Sequence, residues 1–305
     1  MLEAKGLTRR FGALLAVDDV SFTAQRGRVT GMLGPNGAGK TTTLRMLCGV
    51  LLPDQGTVLL DGKDLHRSPP SVRRGLGWLP DAAPAWDELR VEQWLTLRTR
   101  LYGVDPSAIE SALDRCDLMS VRSRIIGRLS RGFRQRVALA AAIVHDPAVL
   151  VLDEPGTGLD PLQQRAFRAL IRELAQDRAV LLSTHQVGDA QAICDDLVVL
   201  SGGRVCAQGD LETLRQSVAG GRLLLETEGD PTEALQGLDG IERVQVEPLE
   251  DGWHRATIVP HAHADDLRSA IAAAVTAAGL KWRQLERAVP TLDALIDAPQ
   301  SKVAP

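Results

Sequence analysis

The sequence predicts an α/β protein built on a largely parallel sheet and followed by a smaller α+β domain. Three observations carry this expectation. Two all-apolar runs, AVLVLD (148–153) and AVLLST (179–184), flank a helical stretch, an order that implies a parallel sheet covered on both faces. A glycine-rich loop, GPNGAGKT (34–41), joins a third apolar strand, VTGML (29–33), to a helix. Beyond a shift in composition at SVAGGR (217–222), the chain reads strand, helix, two strands, helix, strand, the order of a ferredoxin-like unit.

Taken in order, residues 1–30 read as short strands, with AVDDVSFTAQRG alternating ahead of a turn. A helix is expected from Lys40 to Val50, closed by a turn at Pro53–Gly56, and TVLLDGKDL follows as strand and turn. From 87 to 145 the pattern is helical. Val91, Trp94, Leu95, Leu101 and Tyr102 share one face, as do Ile109, Ala112, Leu113 and Cys116, and then Val137, Ala140, Ala141 and Val144. Asp160 is placed to cap a helix that begins at Pro161. LVVLSGGRVCAQG reads as a hairpin turning at Gly202–Gly203. The second domain is expected to carry strands at 222–227, 241–248, 253–259 and 280–286, with helices at 231–237 and 264–278. These boundaries give a first domain over 1–216, with its helical part at 87–145, a second over 222–297, and a disordered tail over 298–305.

Composition narrows the class. The 305 residues are 44% hydrophobic and 24% charged, with a formal net charge of −4, so no basic field draws the whole chain to nucleic acid. Its four cysteines, Cys48, Cys116, Cys194 and Cys206, are widely spaced within apolar patterns and read as buried free thiols of a reducing compartment. The N-terminus lacks the apolar core of a secretion signal, and no window approaches the roughly 20 apolar residues that a membrane span needs. The expected location is cytosolic, and any membrane spans must come from another chain.

The glycine-rich loop fits G-x-x-x-x-G-K-[ST] in full and in its proper strand-to-helix context. Gly34, Pro35, Asn36, Gly37, Ala38 and Gly39 would fold so that backbone N–H groups point at phosphate oxygens, toward which the following helix aims its positive end. Lys40 would bridge the β- and γ-phosphates of a nucleotide, with Thr42 beside it, and the Thr41 hydroxyl would ligate Mg²⁺. VLVLDEP (149–155) sets Asp153 and Glu154 at the end of a buried strand, next to that loop. Asp153 would hold Mg²⁺ through water, and Glu154 would polarise the attacking water, a contribution on the order of 10²–10⁴ in rate.

In this order the phosphate loop, helical insertion, LSRGFRQRV (129–137), LDEPGTGLD and STH resemble the ATP-binding subunit of ABC transporters, over residues 1 to about 215. The resemblance implies a P-loop NTPase fold of the ABC type, with an antiparallel β subdomain and a helical subdomain, that binds ATP and Mg²⁺. It implies that Phe11 stacks on adenine and that His185, 31 residues after Glu154, senses the γ-phosphate. Ser130, Gly132 and Gln135 match the family's signature turn, and Asp160 matches the loop that meets a partner subunit. In the family the signature turn closes over the γ-phosphate held by a second subunit. The partners implied are therefore a second ATP-binding chain, identical or related, and a separate membrane permease, placing the chain on the inner face of the membrane.

Two departures stand out. The family's common signature is LSGGQ; here Arg131 and Phe133 depart from it around an intact Ser130 and Gly132, a form that looks like a subgroup of bacterial exporter ATPases. In GLGWLPDAAP the position usually filled by Gln is Asp81, which could still meet the metal or the attacking water on a stem one methylene shorter. Residues 75–95 are expected to help form the groove for a permease helix, and the second domain resembles additions on ABC exporter ATPases for drugs, lipids or polysaccharides. Two other readings remain at this point: a soluble ABC ATPase acting on ribosomes or DNA, and a slow-turnover regulatory ATP sensor.

Overall fold

A computed structural model describes residues 1–81, 86–218, 223–261 and 266–287. The chain divides into two compact units, the first running from Met1 to Leu211 and the second from Glu212 to the last described residue, Arg287.

The first unit opens with β1 (Leu2–Phe11) and β2 (Leu14–Ala24), which pair antiparallel across the turn at Gly12–Ala13. After β3 (Val29–Leu33) and α1 (Lys40–Leu47), β4 (Gln55–Leu60) and β5 (Lys63–Asp64) complete a four-stranded antiparallel sheet in the order β2-β1-β4-β5. The short strands expected here are in fact ten and eleven residues long, because each finds a full antiparallel partner. Helix α1 stops at Leu47, three residues earlier than expected. Gly49 turns left-handed (φ 70°), and the N–H groups of Gly49 and Val50 close back on the carbonyls of Met46 and Arg45, a glycine-terminated helix end.

β6 (Leu76–Leu79) leads to the helical part: α2 (Val91–Tyr102), α3 (Ala108–Arg115) and α4 (Arg131–Ile143). Their apolar faces are buried as the spacing predicts, except at Tyr102, which is half-buried, and Leu101, which is 66% exposed. Leu101 falls at the edge of the stripe through Val91, Leu95 and Tyr102, on the last turn of its helix. β7 (Val149–Leu152), α5 (Pro161–Ala175), β8 (Ala179–Thr184), α6 (Val187–Ile193), β9 (Asp196–Ser201) and β10 (Arg204–Asp210) complete a six-stranded sheet in the order β10-β9-β3-β8-β7-β6. All its pairings are parallel except β9–β10, which is the expected hairpin with Gly202 and Gly203 at positive φ. Every residue of β3, β7 and β8 is buried, which is why those runs carry no alternation. The carboxyl ends of β3 and β7 deliver the phosphate loop and Asp153 to one edge of this sheet.

Helix α7 (Leu211–Val218) begins at the last residue of the first unit, with the rest of it in the second, and continues into the stretch expected to be a linker; residues 219–222 of that stretch lie outside the described residues. β11 (Leu223–Glu228), α8 (Thr232–Leu235), β12 (Ile241–Pro248), β13 (Trp253–Pro260), α9 (Arg268–Ala277) and β14 (Lys281–Arg287) follow. The strands form an antiparallel sheet in the order β12-β13-β11-β14, the ferredoxin-like arrangement. Leu223, Leu225, Ala256 and Ile258 bury one face of it with Ile271 and Val275 of α9. The proposed tail over 298–305 lies outside the described residues.

All four cysteines are free, but only Cys116 and Cys194 are buried; Cys48 and Cys206 are half-buried. No helix among the described residues is long and apolar enough to cross a membrane.

Candidate functional site

The phosphate loop is shaped by its glycines. Gly34 is buried beneath it, where an added Cβ would stand 2.3 Å from the Leu200 carbonyl, so no other residue fits. Gly39 caps α1 at φ 98°, a conformation that side chains resist. The first N–H groups of α1 have no intrahelical partners, which leaves them free for an anion. Lys40 is buried, and its ammonium donates to the carbonyls of Gly34 (2.8 Å) and Pro35 (3.1 Å) with Glu154 Oε1 at 3.8 Å. Burial pulls its pKa down, and the charges of Glu154 and Asp153 push the other way.

Two neighbouring strands build the carboxylate pair. Leu152 of β7 lies beside Leu182 of β8, so Asp153 meets Ser183, whose hydroxyl donates to Asp153 Oδ1 at 2.6 Å. Asp153 is 1% exposed, and Thr41 Oγ1 reaches the same oxygen at 3.3 Å. Burial raises the Asp153 pKa; the hydrogen bonds from Ser183 and Thr41 oppose that, while the charges of Asp81 and Glu154 add to it. Thr41 and Asp153 make a compact, all-oxygen donor set of the kind that suits Mg²⁺.

Glu154 adopts a left-handed backbone (φ 48°), which a non-glycine residue holds only when its surroundings fix it. They do so here: its N–H donates to Ser183 Oγ (2.9 Å), Thr157 Oγ1 donates to its Oε2 (3.1 Å), and His185 Nδ1 stands 2.9 Å from that same oxygen. The strained turn lifts the carboxylate out of the strand toward the phosphate loop.

A cleft of about 680 Å³ opens over these groups. Phe11, Leu14, Leu15 and Ala16 line it from the β1–β2 hairpin, Asn36, Gly37, Gly39, Lys40, Thr41 and Thr42 from the loop and α1, and Asp81, Glu154, Thr157 and His185 from the sheet edge, with Gly202 and Gly203 closing it. Phe11, at 46%, is well exposed. Gly34, Pro35 and Ala38 shape the loop from behind without lining the cleft. Asp153 lies beneath it.

Ser130, Gly132, Gln135 and Asp160 are not among the residues that line this cleft. Ser130 caps α4 by accepting from the Phe133 N–H at 3.4 Å, and it is exposed among the exposed Arg128, Arg131 and Arg134. Gly132 packs on α5, where a Cβ would clash with Gln163 Oε1 at 2.2 Å. Gln135 turns inward and donates to the Pro155 carbonyl at 3.0 Å, next to Glu154. Asp160 caps α5 by accepting from the Gln163 N–H at 2.9 Å. One chain thus carries a cleft over the glycine-rich loop and, outside that cleft's lining, an exposed cationic turn.

Several contributors carry no motif in the sequence: Ser183, Thr157 and the hairpin residues Leu14–Ala16; the Gly202–Gly203 turn, expected only as a hairpin, also closes the cleft. Ser183 was in view within the STH stretch, but its bond to Asp153 depends on the register of two strands about thirty residues apart.

Comparison with known proteins agrees with this geometry. The family described as ABC transporter matches residues 17–157. The chain is 36% identical over 236 residues to the protein named probable multidrug ABC transporter ATP-binding protein YbhF of Escherichia coli; the match covers 76% of this chain and 40% of that one, so the chain spans well under half of that relative's length. It is 36% identical over 243 residues to Nod factor export ATP-binding protein I of Ralstonia nicotianae, covering 78% of this chain and 75% of that one. A solved structure of the ATP-binding subunit of an ABC transporter superimposes with a TM-score of 0.65 at 32% identity, covering 71% of this chain and 92% of the other.

Proposed function

The chain belongs to the ABC transporter family, as an ATP-binding ATPase cassette, and we propose that it is the ATP-hydrolysing subunit of an exporter whose permease is a separate polypeptide. The observation that carries this reading is the convergence of Lys40, Thr41, Glu154 and His185 on one cleft, with Asp153 bonded to Thr41 beneath it and an exposed aromatic residue beside it. Names of relatives that concern multidrug transport and Nod factor export support an export role.

Within one chain, phosphate binding and proton acceptance would fall to the groups of this cleft. The N–H groups of residues 37–42 and the Lys40 ammonium would take the β- and γ-phosphates, replacing the two carbonyl contacts that Lys40 makes now. Mg²⁺, held by Thr41 and by Asp153 through water, would neutralise charge that builds on the transferred phosphoryl group. Glu154 would accept a proton from the attacking water as its oxygen bonds the γ-phosphorus and the bond to the bridging oxygen breaks. His185, already against Glu154, would hold that carboxylate in line and register the γ-phosphate.

Ser130, with Arg131 and Arg134 beside it, is exposed outside the lining of its own cleft and would suit a phosphate brought by a second copy or a related chain. Two chains would then enclose two ATP molecules, closing on binding and reopening after hydrolysis to drive the permease. A hollow of about 200 Å³ lined by Trp78, Pro80, Trp94, Arg98 and Tyr102 is where a permease helix would dock, which would bring the chain to the membrane.

Asp81 favours a second reading, a slow ATP sensor, because its carboxylate adds negative charge beside Asp153. Phosphate release at saturating ATP-Mg, with the permease present and with Lys40→Ala as control, separates the two. Release above the control marks the transport ATPase, and release equal to it marks the sensor.

A further inference from the structure

On its base-facing side the cleft carries Phe11, Leu14, Leu15 and Ala16, with no polar side chain among them. A base seated there is held by stacking rather than by hydrogen bonds, so its grip depends on how firmly the Phe11 ring is held. Phe11 is the last residue of β1 and is exposed, a poor anchor by itself. Its neighbour two positions back, Arg9, shares that side of the strand. The Arg9 guanidinium lies over the Phe11 ring, 5.0 Å from its centroid. It is pinned from behind by Asp54 Oδ1 (2.7 Å) and the Leu52 carbonyl (3.2 Å). The other oxygen of Asp54 accepts the Arg10 N–H at 2.7 Å, and the Asp54 N–H donates to the Thr8 carbonyl at 2.8 Å, so Asp54 is itself tied to the strand on both sides of Arg9.

We propose that Arg9 is a positioning residue for nucleoside recognition: anchored by Asp54, its guanidinium covers one face of the Phe11 ring and holds that ring as the platform on which the base stacks. The inference rests on the reading of the cleft as an ATP site. Arg9 touches no part of the nucleotide; it reduces the freedom that Phe11 would otherwise lose on binding, and it supplies a cation–π contact that fixes the ring plane.

The test compares binding of ATP-Mg with binding of tripolyphosphate-Mg to the full chain, by titration calorimetry, for wild type, Arg9→Ala, Arg9→Lys, Asp54→Asn, Phe11→Ala and the double variant Arg9→Ala/Phe11→Ala. Tripolyphosphate presents the phosphates without a base, so its binding also reports an intact fold. Arg9→Ala is expected to weaken ATP about three- to tenfold and leave tripolyphosphate unchanged. Arg9→Lys should restore part of the loss, Asp54→Asn should weaken ATP in the same base-dependent way, and the double variant should bind ATP no more weakly than Phe11→Ala alone. Equal losses for both ligands in Arg9→Ala, or no loss of ATP while Phe11→Ala loses it, overturns the role of Arg9 and leaves the ATP site standing. If Phe11→Ala itself binds ATP like wild type, the stacking platform is wrong and the proposal falls with it.

Discussion

His185 Nδ1 stands 2.9 Å from Oε2 of Glu154, and the ammonium of Lys40 reaches the other oxygen of that carboxylate at 3.8 Å. A carboxylate turned out by a left-handed backbone is thereby held between a histidine from the end of β8 and a lysine from the start of α1. Both partners are groups that would also meet a γ-phosphate, so Glu154 and the phosphate share the same neighbours. That sharing would couple proton acceptance to phosphate occupancy without any residue added to the site.

Glu154→Gln keeps the size of the side chain but removes its basicity. Turnover should fall by about two to four orders of magnitude while ATP affinity is retained. Phosphate release and equilibrium binding, measured on the same preparation, check both halves. Size-exclusion chromatography of this variant in ATP-Mg should show closed dimers; monomers alone would contradict the roles given to Glu154 and to the Ser130 turn.

Lys40→Ala chains and Ser130→Glu chains should each be inactive alone. Mixed together they should regain hydrolysis, because a mixed dimer holds one cleft with an intact Lys40 facing an intact Ser130. The check is phosphate release against the mixing ratio. Persistent inactivity in a mixture that demonstrably forms mixed dimers would mean that each chain supplies its own turn.

Ile271 is fully buried in the core of the second unit, among Leu225, Ala256 and Ile258. Ile271→Ala should cost that unit about 2–5 kcal/mol, read from denaturant unfolding. ATP affinity at low denaturant should stay unchanged, since every residue assigned to the cleft lies before Leu211. A chain ending at Val218 should likewise still bind ATP.

Much of this architecture was legible in the sequence because its signals are local. β3, β7 and β8 are continuous apolar runs since both faces of each strand are covered, and the phosphate loop is a contiguous motif whose glycines answer local needs, as Gly39 does at φ 98°. The rest depends on distant pairings. Ser183 supports Asp153 only through the alignment of β8 with β7, and Gln135 reaches Pro155 only because α4 passes the end of β7. Periodicity placed Leu101 in the apolar stripe of α2, but a residue at the stripe's margin near a helix end is buried only if a neighbour arrives there. The lengths of β1 and β2 are not legible for a similar reason, as pairing extends strands beyond what alternation alone marks.

The central claim is that the triphosphate lies between the glycine loop of one molecule and the Ser130 turn of another. Structure determination of Glu154→Gln in ATP-Mg addresses it directly. The expected map shows two molecules head to tail, each Ser130 hydroxyl within hydrogen-bonding reach of the γ-phosphate cradled by its mate's Lys40. Density showing ATP seated at Lys40 while both Ser130 side chains face solvent would contradict the account.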